Sequence, residues 1–204
     1  MGGCCDQECS LERLRERQRG TLRTVLAINA VMFLVIAGAA LYGRSTALLV
    51  DSLDNLGDAL TYGLSLYVVA GSSSAKARVA LFKGGLILLA ALAVMAQIAY
   101  RLLVNPAVPL FEVMGLFSAV GLAANLICLL LLWRHRHEDI NMSSVWECSR
   151  NDIAGNLSVF LAAGAVWLAN SGWPDLLVAS GLSILLLRSA LRVITSARAE
   201  LRTA

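Results

Sequence analysis

The chain has 204 residues, 58% of them hydrophobic and 15% charged, with a formal net charge of +3. A soluble domain of this length would alternate apolar and polar faces over much of its sequence, and this one does not. So small a net charge gives no basis for nucleic-acid binding. The first twenty residues are polar and form a separate arm (1–20) that opens MGGCCDQECS, with Cys4, Cys5 and Cys9 around Asp6 and Glu8. Asp6 stands where a myristoylation signal wants Ser or Thr. No cleavable signal peptide is evident, because the first apolar run is long enough to remain a membrane span. Six such runs follow over 21–201, at about Leu22–Tyr42, Thr46–Ala70, Gly84–Tyr100, Val113–Trp133, Ser143–Ala169 and Leu176–Ile194. A membrane helix needs roughly 20 apolar residues. None of the runs alternates over about ten residues, as a β-barrel strand would. The expected fold is an all-α membrane protein with six transmembrane helices.

Basic residues in short connections set the orientation. The N-terminal arm carries Arg13, Arg15, Arg17, Arg19 and Arg23. The second-to-third connection has Lys76, Arg78 and Lys83, the fourth-to-fifth Arg134 and Arg136, and the tail Arg198 and Arg202. The other side holds Arg44 and Arg101 alone. Both termini are therefore expected in the cytoplasm. Tyr42, Trp133 and Trp173 fall near span ends, as interfacial anchors do. About ten residues follow the sixth run, so no folded C-terminal domain is expected.

The second run contains VDSLDNLGDAL, with Asp51, Asp54 and Asp58 at i, i+3 and i+7, on one helix face flanked by Ser52 and Asn55. An aspartate near the centre of a spanning helix costs about 2.5–3.5 kcal/mol. Starting the span after Asp58 would leave only Ala59–Ala70, too short to cross about 30 Å of hydrocarbon. Asp51 alone is also compatible with a place near the outer helix end. The fifth run contains WECSRNDIAGN, with Glu147, Cys148, Arg150, Asp152 and Asn156. Asp54 lies nine residues in from Ser45, and Asp152 nine residues in from Ser143 at the opposite end. At a rise of about 1.5 Å per residue both carboxylates reach the same level, near the midplane. Asp54 and Asp58, like Cys148 and Asp152, are i, i+4 pairs. Together they offer three carboxylates and a thiolate, a set that suits tetrahedral Zn²⁺. Without metal the clustered carboxylates repel one another and take up protons. Such a site exchanges metal for protons.

These residues resemble the cation diffusion facilitator family of proton-coupled divalent-metal exporters. The family carries His or Asp, three residues, then Asp in its second span, matched here by Asp54-Asn-Leu-Gly-Asp58 and approached through STALLVDSLD. In the fifth span the family has the same pattern, matched by Cys148-Ser-Arg-Asn-Asp152 with Cys in place of His or Asp. The run WPDLLVASGLSILLLRSALRVI resembles the sixth span. The resemblance extends over Thr21–Leu201 and is to short members that lack the cytoplasmic C-terminal domain. It implies a multi-pass transporter in a lipid bilayer and no enzymatic activity. The transporter would export a divalent cation from the cytoplasm against protons, with Asp54, Asp58 and Asp152 as ligands, Cys148 as the fourth, and a homodimer as the assembly. Cys148 is equally readable as a small buried residue, with Glu147 or Asn151 coordinating instead. A thiolate ligand favours Zn²⁺ or Cd²⁺, and carboxylates alone admit Mn²⁺, Fe²⁺ or Co²⁺.

Asp51 is placed to relay protons from the outer side. Cys4, Cys5 and Cys9 could capture a soft metal in the reducing cytoplasm, although their spacing fits no standard zinc motif and palmitoylation is the other reading. His135 and His137 in RHRHED read first as part of a basic loop that sets topology, and second as a weak metal site with Glu138 or Asp139. Arg150 pairs with a carboxylate such as Glu147, or snorkels. Asn29, Asn125 and Asn156 read as helix–helix hydrogen-bonding residues ahead of cavity-lining ones. The compact chain suits a bacterial inner (plasma) membrane. The alternative function is a membrane metal sensor or binding protein that holds the ion without moving it. An intramembrane aspartyl hydrolase using Asp58 and Asp152 has no other feature in its support.

Overall fold

A computed structural model describes residues 3–68, 73–104, 107–133 and 140–203, with side chains over 19–63, 66, 77, 78, 80–104, 107–133 and 151–202. The described residues form six α-helices and no strand: α1 (Gly3–Gly43), α2 (Thr46–Val68), α3 (Ser73–Leu103), α4 (Phe111–Trp133), α5 (Ile140–Ala169) and α6 (Trp173–Thr203). Several helices run past the apolar segments legible in the sequence. The α1 backbone is helical from Gly3, α3 begins at Ser73 and α6 continues to Thr203. No Pro interrupts these polar extensions, which are rich in the helix-favouring Ala, Leu, Arg and Glu.

Five helices are long and apolar enough to cross a membrane: the segments Arg19–Gly43, Ala80–Leu103, Phe111–Trp133, Asn151–Ala169 and Trp173–Arg202. The sixth helix, α2, is not among them, because any 18-residue window within it contains Asp51, Asp54 and Asp58. Its 23 residues reach about 34 Å, enough for the hydrocarbon core, so composition and not length sets it apart. Large apolar side chains cover the outside of the bundle, among them Leu34, Leu41, Leu103, Leu168 and Leu177. An apolar exterior of this extent matches lipid and not water. Inside, Ile36, Leu48, Met114, Val159 and Ala179 are buried in one core.

Packing places α2 at the centre. The closest helix pairs are α1 with α2, α3 with α6, and α4 with α5, and α2 touches all five other helices. Two of its three aspartates, Asp51 and Asp58, are thus buried in protein instead of facing lipid.

Two turns and one carboxylate fix the end of the bundle where α2 begins. Arg44 takes a left-handed conformation (φ 52°) at the end of α1, and the Ser45 amide donates back to the Ala40 carbonyl at 3.0 Å. This is a Schellman-type stop, here without glycine. Ser45 then caps α2, its Oγ accepting from the Leu48 amide at 3.1 Å. Asp175, in the first turn of α6 and fully buried, completes the cap from another helix. Its carboxylate accepts from Ser45 Oγ at 2.6 Å, the Thr46 amide at 2.8 Å and the Ala47 amide at 3.0 Å. Nearby, the turn before α6 passes so close to the 107–110 segment that a Cβ on Gly172 would lie 2.5 Å from the Ala107 carbonyl oxygen. Only glycine fits there without a backbone shift.

Candidate metal centre

The buried stripe of α2 consists of Asp51, Asn55, Asp58 and Tyr62, spaced i, i+4, i+7 and i+11. Asp54 lies at the edge of this stripe and is exposed, whereas Asp58 is only 8% exposed. On α5, Asp152 (8% exposed) and Asn156 (fully buried) face inward. The Asp152 carboxyl hydrogen-bonds to both Asp54 and Asp58. The sequence expectation that α2 and α5 carboxylates share one level is met in these contacts. Asp58 also accepts from the Tyr62 hydroxyl at 2.6 Å, a partner the sequence reading missed. Tyr62 sits at i+4 from Asp58, the spacing that could have revealed it.

A second contact sets the register. The Asp51 carboxylate lies 4.0 Å from where a Cβ on Gly155 would sit, and Gly155 is three residues beyond Asp152. As positions in α2 fall, positions in α5 rise, so the helices run antiparallel with 54 opposite 152 and 51 opposite 155. The same register sets position 148 level with Asp58. The side chains of Cys148, Glu147 and Arg150 lie outside the described residues, as do those of Cys4, Cys5 and Cys9 and the segment with His135 and His137. Asn151 is exposed.

The three carboxyls meet pairwise through Asp152. Among the described residues no three or more Asp, Glu, His or Cys side chains are grouped so as to hold a metal ion.

The described asparagines hydrogen-bond mainly within their own helices. Asn55 and Asn156 donate to the carbonyls of Asp51 and Asp152 at 2.9 and 3.0 Å, and Asn29 donates to that of Val25 at 3.0 Å. Each bond stays within its own helix at i−4. Among the described residues Asn29 also makes the bond between helices that the sequence reading expected, a weak one from its Nδ2 to Cys128 Sγ at 4.0 Å. The polar atoms Asn29 Oδ1, Asp51 Oδ2, Asn125 Nδ2 and Asn156 Oδ1 are left buried with no protein partner among the described residues. Unsatisfied polar atoms are scarce in protein interiors, and among the described residues they come from α1, α2, α4, α5 and, with Ser183 Oγ, α6.

Gly121 of α4 makes room for one of them. A Cβ there would fall 2.1 Å from Asn156 Oδ1 and 3.1 Å from its Cγ. Gly121→Ala is therefore expected to rotate Asn156 and break its bond to the Asp152 carbonyl, one turn from the carboxyl cluster. The expected result is a lower melting temperature in detergent together with metal affinity weakened about threefold to tenfold. Unchanged melting and binding would show that Asn156 does not support Asp152.

An all-helical bundle, among the described residues, with an apolar exterior and a carboxyl cluster supplied by α2 and α5 defines an integral, multi-pass membrane protein with a polar interior. The model of the cation efflux transmembrane domain matches residues 22–201, and the chain belongs to that family of metal-cation transporters. Comparison with curated proteins gives no match.

Proposed function

We propose that the protein exports zinc from the cytoplasm in exchange for protons, through a site formed by Asp54, Asp58 and Asp152 with Cys148 as fourth ligand. The observation that carries this reading is the contact of Asp152 on α5 with both Asp54 and Asp58 on α2. Carboxyl groups that share protons when empty have the right chemistry to bind a divalent cation once those protons leave. Asp54, the exposed member, is where an ion enters, and rotation of the carboxylates draws it against Asp58 and Asp152. Cys148, level with Asp58 by the helix register, adds a thiolate that favours Zn²⁺ and Cd²⁺ over Mn²⁺, Fe²⁺ and Co²⁺. Asp51, one turn along α2 beside Gly155, passes protons between the outer side and the cluster.

In this reading α2 is the sixth span, held in the membrane by its central packing, and both termini face the cytoplasm. Residues 1–20 form a cytoplasmic extension whose Cys4, Cys5 and Cys9 collect metal, and 21–201 form the transport domain. The protein acts as a homodimer in a bacterial plasma membrane.

Transport and binding without transport are separated in proteoliposomes that contain a zinc-sensitive dye and are buffered acidic inside. Zinc entry is expected to rise several-fold over that in vesicles with no pH difference, and to fall back when a protonophore collapses the gradient. Zinc binding with no entry at any gradient would contradict export and favour a sensor.

A further inference from the structure

Lys83 is the fourth residue of the apolar segment of α3 that begins at Ala80. From sequence it counts among the cytoplasmic loop charges, but it is helical and only partly buried. A lysine within a membrane span is costly and ordinarily has an identifiable partner. Its position against α2 is fixed by two contacts. Ile87 of α3 packs on Gly57, its Cδ1 lying 3.5 Å from where a Cβ would sit. One turn away on the same face of α3, Lys83 Nζ donates to Thr61 Oγ1. The helices therefore run antiparallel with 57 opposite 87 and 61 opposite 83, and Asp58 falls between the two contacts. Asp54, Asp58 and Thr61 follow i, i+4, i+7, so the lysine reaches the face of α2 that carries the carboxylates. Its charge acts on both Asp54 and Asp58.

We propose that Lys83 is the resident counter-cation of the carboxylate site: it limits how tightly the site holds a divalent metal ion and so allows the ion to leave. The inference rests on the reading of Asp54, Asp58 and Asp152 as the ion site. Three carboxylates, the Cys148 thiolate and one ammonium leave three negative charges, of which one divalent ion neutralises two. Without the ammonium the ion faces four negative charges, and in a poorly screened interior the added charge strengthens the hold on it. Lys83 is a positioning and charge-setting residue here, since a primary ammonium cannot ligate the metal.

The test is zinc affinity and zinc flux for the full chain, measured on the parent, Lys83→Gln, Lys83→Arg and Asp152→Asn. Lys83→Gln is expected to bind Zn²⁺ at least about tenfold more tightly and to transport with both a lower KM and a lower maximal rate. Lys83→Arg, which keeps the charge, is expected to stay within about threefold of the parent in affinity. A role in packing alone would raise KM or leave the affinity unchanged, and either result in Lys83→Gln overturns the proposal. Should Lys83→Gln fail to fold, the parent itself gives the answer. Lys76 and Lys83 are its two lysines, and ¹³C-methylation retains their charge. The Lys83 resonance, assigned by its loss in Lys83→Arg, is expected to move on adding Zn²⁺ while that of Lys76 does not. A Lys83 signal indifferent to bound zinc overturns the proposal. A parent that binds no more zinc than Asp152→Asn would instead overturn the ion site on which it rests.

Discussion

Asp152→Asn is expected to lower proton-driven zinc flux by at least about 100-fold while leaving the folded chain intact. The substitution preserves size and hydrogen-bonding capacity, and Asp152 is buried among helices that pack mainly through apolar residues. What it removes is the negative charge and the ability to bind and release a proton. Asp152 is also the one carboxyl in contact with both Asp54 and Asp58, so its loss uncouples α5 from α2 at the site. A hundredfold change corresponds to about 2.7 kcal/mol, a modest figure for one charged ligand lost in a low-dielectric interior. Flux assays on reconstituted protein, with circular dichroism as the folding check, measure it. Retention of more than a tenth of the parent rate would place the site elsewhere.

The second large effect concerns stability. Asp175→Ala is expected to cost about 3 kcal/mol, seen as a melting temperature in detergent lower by roughly 10 °C. Three donors converge on that carboxylate within 2.6–3.0 Å, two of them backbone amides at the start of α2. The helix dipole of α2 adds to the attraction, because its positive end faces the buried anion. With alanine the Ser45 hydroxyl and both amides lose their acceptor in a dry environment. Asp175→Asn keeps an acceptor oxygen but no charge, and is expected to lose about half as much. Since α2 carries Asp54 and Asp58, loosening its start also displaces the site, so flux is expected to fall in step with stability. Melting within 2 °C of the parent in Asp175→Ala would mean that Ser45 alone caps the helix.

The residues that are legible in the sequence are those whose partners lie on the same helix or at a calculable depth. Asp54 and Asp58 stand out because charges are expensive inside an apolar run. Asp152 could be matched to them because the helical rise converts sequence position into depth. Asp175 and Lys83 were not readable in this way. Asp175 looks like an ordinary acidic residue in the first turn of its own helix, yet it caps α2, 130 residues away from Ser45. Lys83 resembles a loop charge because it precedes the strongly apolar part of α3, and only the antiparallel register against Gly57 and Thr61 brings it to the carboxylates. Both depend on how helices pair, which periodicity does not encode. The same distinction explains the asparagines. Their type suggested bonds between helices, which Asn29 makes weakly to Cys128, but Asn29 and Asn156 each also find a carbonyl one turn back in their own helix, a partner always within reach.

Zinc stoichiometry at equilibrium shows whether α2 and α5 share one ion. The measurement uses the full chain with Cys4, Cys5 and Cys9 changed to Ser, so that the N-terminal thiols add no binding of their own. The parent in this background is expected to hold about one Zn²⁺ per chain at the site, displaced as the buffer is made acidic. Asp54→Ala and Asp152→Ala, one on each helix, are each expected to lose it. A full equivalent of zinc retained by either variant would contradict a site shared between the two helices.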